Sequence, residues 1–236
     1  MFMRKRNGVS LLLLAAFFVT GCQKEIDFTD GAGAGSGTGG GSGNGGGGST
    51  SGASFCPTTP GTWWKYKDSV SGAISTQTIQ NTTKTKNGIL YSAVTVSGRS
   101  DTGWYASPRP GYYLSQAGTD PGTGASYDAT FHYLNDTAAV GYSWEYVEGQ
   151  GNGFAADMKT TIVEKGLTMT VGGKSYKEVT HTTMELSYDL GFMVLDAALY
   201  DFYVAKGVGI IKIRTNIDAL GTTLQTCSDL VDHSIK

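Results

Sequence analysis

Hydrophobic and polar residues alternate with a period of two along much of this chain. Apolar side chains occupy every second position of residues 183–190, 167–171 and 211–214. A period of two puts one face of a strand on a core and the other in water. Thr, Val, Tyr and Ile dominate these runs, and all four favour strands. The pattern therefore predicts antiparallel β-structure.

Two short segments have the composition of tight hairpin turns. Asn87-Gly88 and Gly172-Gly173 each separate two strand-like runs, and a type I′ turn needs two residues at positive φ. No long stretch after residue 53 has a helical period. Residues 191–200 are apolar without a clear period, which leaves a buried strand and a short helix as open alternatives.

Three features of the first half recur in the second half in the same order. The motif G-x-x-W-x-Y occurs at 61–66 and again at 141–146, an offset of 80. The two hairpin turns, each followed by tyrosine, recur at an offset of 85. Trp104-Tyr105 with Gly111 matches Phe202-Tyr203 with Gly209 at an offset of 98. Their common order predicts two copies of a β-meander, at about 60–120 and 140–217.

Two meanders side by side form one wide antiparallel sheet. Native sheets twist, and sheets of that width tend to curl. We therefore expect residues 54–236 to form one all-β domain, a curved antiparallel sheet or half-open barrel made of two β-meander repeats.

The N-terminus has the three parts of an export signal. A cationic start, Arg4-Lys5-Arg6, precedes the apolar run 8–19 and the small residues Thr20 and Gly21. About 20 apolar residues would be needed to span a bilayer, so the run is too short for a membrane helix. The alternative is an ordinary secretory signal whose cleavage site happens to lie near a cysteine.

The segment Val19-Thr20-Gly21-Cys22 resembles the bacterial lipoprotein signal. That resemblance implies removal of residues 1–21 and a diacylglycerol on the thiol of Cys22, usually with an acyl chain on its amine. Each buried CH₂ contributes about 0.8 kcal/mol, so two or three chains hold a protein stably where one does not. The expected partner of this cysteine is therefore a membrane.

Residues 22–53 are predicted to be a flexible tether. Glycine occupies 13 of the 22 positions from 31 to 52, and no strand precedes it and no helix follows it, which excludes a phosphate-binding loop. A Gly-rich coil of this size averages about 30 Å end to end and reaches roughly 105–115 Å when stretched.

Charge limits the partners and the location. Without the signal the chain keeps 15 basic and 20 acidic residues, a net charge of −5. Nucleic-acid binding would call for a basic patch, so we do not expect nucleic acid as a partner. Gln23-Lys24-Glu25 and Asp27 resemble the export signals of Bacteroidota surface lipoproteins. We expect the outer membrane of a Gram-negative bacterium, with the cell surface as the preferred face and the periplasmic face left open.

Two further cysteines, Cys56 and Cys227, bracket the folded region. In an oxidising compartment they are expected to form one disulfide. The chain-entropy model gives roughly 5 kcal/mol for a loop of this size. Two free buried thiols are the alternative. The three scattered histidines, His132, His181 and His233, add no metal-ligand spacing.

No catalytic motif is present. The chain contains no G-x-S-x-G and no H-E-x-x-H, and Gly173-Lys174-Ser175 lacks the first glycine of a phosphate loop. The polar segment 120–128 could hold calcium through carboxylates and carbonyls, although a polar loop before a strand is the commoner structure. We therefore expect neither an enzyme nor a cofactor.

Aromatic residues around the turn 108–111 form a candidate ligand groove. They are Trp104, Tyr105, Tyr112 and Tyr113, and they would stack on sugars or enclose a lipid chain if they lined one concave face; filling the core is the alternative. Asp68-Ser69-Val70 and Asp136-Thr137-Ala138 resemble the O-glycosylation signal of Bacteroidota exported proteins, which makes Ser69 and Thr137 candidate modification sites.

The opening G-x-x-W-x-Y, the later G-Y-x-W and the late segment 206–212 resemble a large group of uncharacterised Bacteroidota lipoproteins. The resemblance covers residues 57–217 and implies a duplicated curved sheet, distantly like the lipoprotein-carrier half-barrels, without catalytic residues. The expected function is non-catalytic binding or scaffolding at the cell envelope. A carrier of an apolar ligand and a glycan-binding accessory protein are the alternatives, and the ligand is unknown.

Overall fold

The computed structural model describes residues 53–119, 126–146, 149–151, 154–219 and 222–236. The predicted signal peptide and all of the predicted tether except Ala53 lie outside the described residues. None of the described residues forms a helix that could cross a membrane. The strands are β1 (Trp63–Asp68), β2 (Ile74–Lys86), β3 (Ile89–Val96), β4 (Thr102–Ala106), β5 (Gly111–Thr119), β6 (Ser126–Asn135), β7 (Ser143–Tyr146), β8 (Gly149–Gly151), β9 (Phe154–Val171), β10 (Lys174–Asp189), β11 (Val194–Ala205), β12 (Gly209–Ala219) and β13 (Thr222–Ser234).

All strand pairings are antiparallel, and together they form a nearly closed barrel. Strands β1–β6 are sequential neighbours, and so are β9–β13. The pairing of β13 with β1 joins these two meanders. On the other side the short strand β8 bridges β6 and β9, through three residue pairs with β6 and two with β9. The predicted all-β sheet of two meanders is confirmed.

The first repeated motif forms the same backbone turn in both meanders. Gly61 and Gly141 have φ of 85° and 83°. Gly61 N–H donates to the carbonyl of Ile79 at 2.9 Å, and Gly141 N–H donates to the carbonyl of Ile162 at 2.8 Å. Only glycine adopts this φ freely, which explains why the motif begins with glycine before both β1 and β7.

Both predicted hairpin turns are two-residue turns at positive φ. The angles are 52° and 76° at Asn87-Gly88, between β2 and β3, and 56° and 79° at Gly172-Gly173, between β9 and β10. The flanking pairs close directly around each turn. The turns therefore give β2–β3 and β9–β10 equivalent positions in the two meanders.

The third repeated feature is one residue out of register. Tyr105 on β4 and Phe202 on β11 are the buried members of their pairs, whereas Trp104 and Tyr203 are half-buried. At an offset of 98 the match therefore pairs side chains from opposite faces. Each meander also ends with a strand beyond the matched range, namely β6 in the first and β13 in the second.

Residues 191–200 form a turn and the start of β11. Phe192 to Val194 are exposed, while Ala197 and Tyr200 are buried. Neither a fully buried strand nor a helix describes the whole segment.

The inward side chains fill the barrel. Those from the second meander are mostly apolar and fully buried, for example Met158, Ile162, Met184 and Leu186. Such packing is typical of a protein core and leaves little empty volume.

The β9–β10 hairpin bends over one end of the barrel. Its pairing register shifts three times between Tyr176 and Thr182, in a stretch that contains Glu178 (φ 51°) and faces Gly166 (φ 72°). β-Bulges bend a strand in this way. The tip of the hairpin lies against β13, so that a Cβ on Gly172 would overlap the backbone of Leu230.

Candidate functional site

The N-terminal segment closes the same end of the barrel. The carbonyl of Ser54 accepts a hydrogen bond from Gly207 N–H at 2.9 Å. Phe55 is 8% exposed and meets Tyr112 edge to face, with ring centroids 5.9 Å apart. We call this end, where the described chain begins, the closed end, and we call the opposite end the open end.

Cys56 lies inside the barrel under the N-terminal segment. It borders a small space of about 180 Å³ together with Trp64, Tyr66, Tyr105 and Tyr133. Burial raises the pKa of its thiol to about 12. Because the thiolate is the reactive form, a thiol held protonated in this way is chemically inert.

The structure does not form the predicted disulfide, since Cys56 and Cys227 are both free thiols. Cys227 lies on β13 between the buried Thr226 and Ser228, so its side chain points to the outer face. Its Sγ lies 3.8 Å from the carboxylate of Asp229. The two sulfurs are on opposite sides of one sheet, and a bridge would require backbone movement.

A cleft of about 330 Å³, counted out to solvent, lies at the open end. Gln77 and Tyr105 line it, and Tyr105 Oη donates to Gln77 Oε1 at 2.9 Å. Its other walls include the aliphatic side chains of Val94, Val96 and Leu114. The cleft is therefore partly polar.

A charged network borders this cleft. Arg99 binds both carboxylate oxygens of Asp101, at 2.8 and 2.6 Å. Gln116 donates to Asp101 and, at 3.1 Å, to Tyr127 Oη. The hydrogen bonds from Arg99 hold the pKa of the Asp101 carboxyl below its usual value. Sequence reasoning missed these residues, because polar positions in short loops and polar strands carry no period.

The four aromatic residues predicted to form one groove lie on two faces. Tyr105 and Tyr112 are 3% and 0% exposed and point inward. Trp104 and Tyr113 point outward, where Lys84 Nζ lies 4.3 Å from the ring of Trp104. The prediction of a shared groove is therefore wrong, because neighbouring residues of a strand face opposite sides.

An aromatic cluster covers the seam between β6 and β7. Its members are Tyr113, His132, Trp144 and Tyr146, with Tyr113 stacked on His132 at 4.3 Å. His132 Nε2 is buried and has no hydrogen-bond partner among the described residues. Burial lowers the pKa of His132 to about 4, so the ring is neutral near pH 7.

Side chains, not backbone pairs, close this seam. The carbonyl of His132 accepts from Trp144 Nε1 at 3.2 Å and from Thr160 Oγ1 at 3.1 Å. The carbonyl of Tyr133 accepts from Thr182 Oγ1 at 2.8 Å. Buried carbonyls need partners, and these inward hydroxyl and indole groups supply them where β6 and β7 do not pair.

The two candidate modification sites lie in turns at opposite ends of the barrel. Ser69 is exposed at the open end, and its hydroxyl donates to Asp229 at 3.1 Å. Thr137 is exposed after β6 at the closed end and donates to Asn135 at 2.9 Å. Both hydroxyls are accessible, and their modification stays a prediction.

Other described titratable side chains form separate pairs on the outer face. His181 pairs with Asp201 at 2.8 Å on the outer face, beneath Tyr203. In the part of the chain that the structure describes, no group of three or more His, Cys, Asp or Glu could hold a metal. Most of the candidate calcium segment lies outside the described residues, and its last residue, Asp128, binds Lys86 at 3.2 Å.

No protein-family model matches the chain, and no curated protein sequence matches it. A protein of Parabacteroides distasonis ATCC 8503, provisionally described as a lipoprotein, superposes with a TM-score of 0.47 at 12% identity. A protein of Bacteroides fragilis NCTC 9343, provisionally described as exported with a YmcC-like fold, superposes with a TM-score of 0.45 at 11% identity. Each match covers 77% of this chain and 99% of the other. At these values the similarity does not extend to function.

Proposed function

We propose that this chain is an exported lipoprotein held by acyl chains on Cys22 in the outer membrane of a Gram-negative bacterium, with the cell surface as the preferred face. Its barrel is a non-catalytic binding or scaffolding module. The position of the N-terminal segment supports this proposal most directly. Because residues 54–56 are built into the closed end, a tether from Cys22 is attached at that end and leaves the open end without an attachment.

The filled interior favours binding at the surface over transport of an apolar ligand inside the barrel. Ligand pockets commonly enclose about 300–1,000 Å³ of mainly apolar space. Here the inward apolar residues of the second meander are buried and belong to one packed core cluster. The open-end cleft carries a salt bridge and two buried glutamines, which does not suit a lipid chain.

The arrangement of side chains favours a non-catalytic role. The His181–Asp201 pair lies on the outer face of β10 and β11, whereas the cleft holds Arg99 and Asp101 already bound to each other. Catalysis needs an acid, a base or a nucleophile placed together around a substrate, and these pairs are separate.

Lipidation is tested by expressing the full chain with labelled palmitate. The Cys22→Ser variant should lose the label and leave the membrane fraction, while the Cys227→Ser control keeps both. Retention of Cys22→Ser in the membrane, or a parent chain without label, would reject the proposal. Protease added to intact cells then separates the two faces: cleavage in the Gly-rich tether supports the cell surface, and protection until the outer membrane is opened supports the periplasmic face.

A further inference from the structure

The turn between β10 and β11 exposes an apolar tip at the open end. Phe192, Met193 and Val194 are 83%, 49% and 62% exposed. The turn itself is ordered, since Leu190 N–H donates to the carbonyl of Met193 at 3.0 Å and Gly191 has φ of 79°. We call residues 192–194 the apolar tip.

The equivalent turn of the first meander shows that the fold does not need apolar residues here. β3 and β4 are joined by Ser97–Asp101, in which Gly98 has φ of 78°. That turn is polar, and its Arg99 and Asp101 bind each other. The two turns both carry a glycine at nearly the same φ and differ in chemistry. The apolar side chains of the tip therefore serve something other than the turn.

Further apolar side chains lie on the next strands around the same end. Leu224 on β13 is 42% exposed, and Val70 and Ile74 in the β1–β2 hairpin are 70% and 61% exposed. Strands β11, β12, β13, β1 and β2 are neighbours in this order. Exposed apolar side chains grouped at one end of a protein are typical of a surface that contacts another molecule.

Carboxylates surround the base of the apolar tip. On the outer face Ser187 pairs with Asp157 of β9 on one side and with Asp196 of β11 on the other. Asp189, the partner of Val194 in the hairpin, accepts from Gly191 N–H at 2.7 Å. No described Lys or Arg forms an ion pair with any of these three carboxylates.

We propose that the apolar tip is a docking element for a partner protein whose apolar pocket is bordered by Lys or Arg. Charge complementarity selects this occupant, because Asp157, Asp189 and Asp196 lie beside the tip and form no ion pair with a described Lys or Arg. A second copy of the chain would bring the same carboxylates together, and an anionic lipid surface would repel them. This inference goes beyond membrane anchoring and does not rest on it.

The test places a photo-crosslinking residue in the full-length chain in cells, as Phe192→p-benzoylphenylalanine. The control is the same residue at Leu90, which is 63% exposed on β3. We expect one protein adduct of defined mass at 192 and none at 90. The double variant Asp157→Lys with Asp196→Lys should lower that adduct at least about tenfold, whereas Glu145→Lys with Glu164→Lys should leave it unchanged. Thermal unfolding of each purified variant shows that it folds.

Several results would overturn the proposal. The proposal fails if position 192 gives no adduct, if position 90 gives an equal adduct, or if the adduct at 192 survives the Asp→Lys reversals. An adduct at twice the mass of the chain would assign the tip to a second copy. Phe192-dependent sedimentation with vesicles of phosphatidylcholine or phosphatidylglycerol would assign it to a membrane. A Cys22→Ser chain that leaves the membrane tests anchoring separately, so the two proposals can fail independently.

Discussion

The two glycines of the β9–β10 turn should differ sharply when each is replaced by alanine. Both have positive φ, 56° at Gly172 and 79° at Gly173. A Cβ on Gly173 meets nothing within 4 Å, whereas a Cβ on Gly172 overlaps the carbonyl oxygen of Leu230 and lies 3.0 Å from Cα of Val231. The pair therefore separates backbone strain from steric contact.

Positive φ costs an alanine about 1–2 kcal/mol, and the lower entropy of the unfolded chain returns about 0.4–1 kcal/mol. Gly173→Ala should thus destabilise by about 1 kcal/mol. In Gly172→Ala the hairpin must also move away from β13, and forced repacking of this kind costs about 1–3 kcal/mol more. For a domain of this size each kcal/mol lowers Tm by about 2–4 °C.

The assay is thermal and urea unfolding of both variants and the parent, measured side by side. We expect Gly172→Ala to unfold about 2–12 °C below Gly173→Ala. Equal stabilities within about 0.5 kcal/mol, the usual range for surface substitutions, would refute the contact between the hairpin tip and β13. They would also refute the account of how the closed end is covered.

Three further predictions follow from the same structure. Burial depresses the pKa of His132 to about 4, against 6.5 for an ordinary histidine. The parent should therefore lose up to about 3 kcal/mol of stability between pH 7 and pH 4 relative to His132→Gln. If urea unfolding shows the same pH dependence of stability for both proteins, this prediction is contradicted. Phe55→Ala should lower the free energy of unfolding by about 3 kcal/mol. Phe192→Ala should change it by no more than about 0.5 kcal/mol, because Phe192 is exposed. Equal Tm shifts in the two variants would argue against insertion of the N-terminal segment. In the Cys22→Ser chain a thiol reagent should label Cys227 in the native state and Cys56 only after unfolding. If the unfolded, unreduced chain takes no label, the two cysteines form a disulfide and the prediction is wrong.

Strand pairing shows where local sequence information is enough. The alternation in residues 183–190 and the glycines of Gly172-Gly173 led to the right hairpin, since period and turn type depend only on neighbouring residues. The repeated G-x-x-W-x-Y marks equivalent turns for the same reason. Local pattern thus predicts the strands and both meanders.

The candidate site depends on contacts between distant residues. Strand alternation separates the members of each neighbouring pair, but burial of the whole sheet decides that Tyr105 and Tyr112 are the inward ones. The expected bridge from Cys56 failed for a related reason, because the thiol of its partner faces the outer surface. Sequence separation alone carries no information about the side of a sheet on which a residue lies.

The sequence by itself predicted an all-β, duplicated domain behind a signal peptide and a Gly-rich tether, because these features follow from composition and short-range periodicity. Only the tertiary structure decided that the barrel nearly closes, that Phe55 and Cys56 enter one end, and that Phe192 is exposed at the other. Each of these depends on pairings between residues far apart in the chain, whose register is selected by burial of the whole sheet.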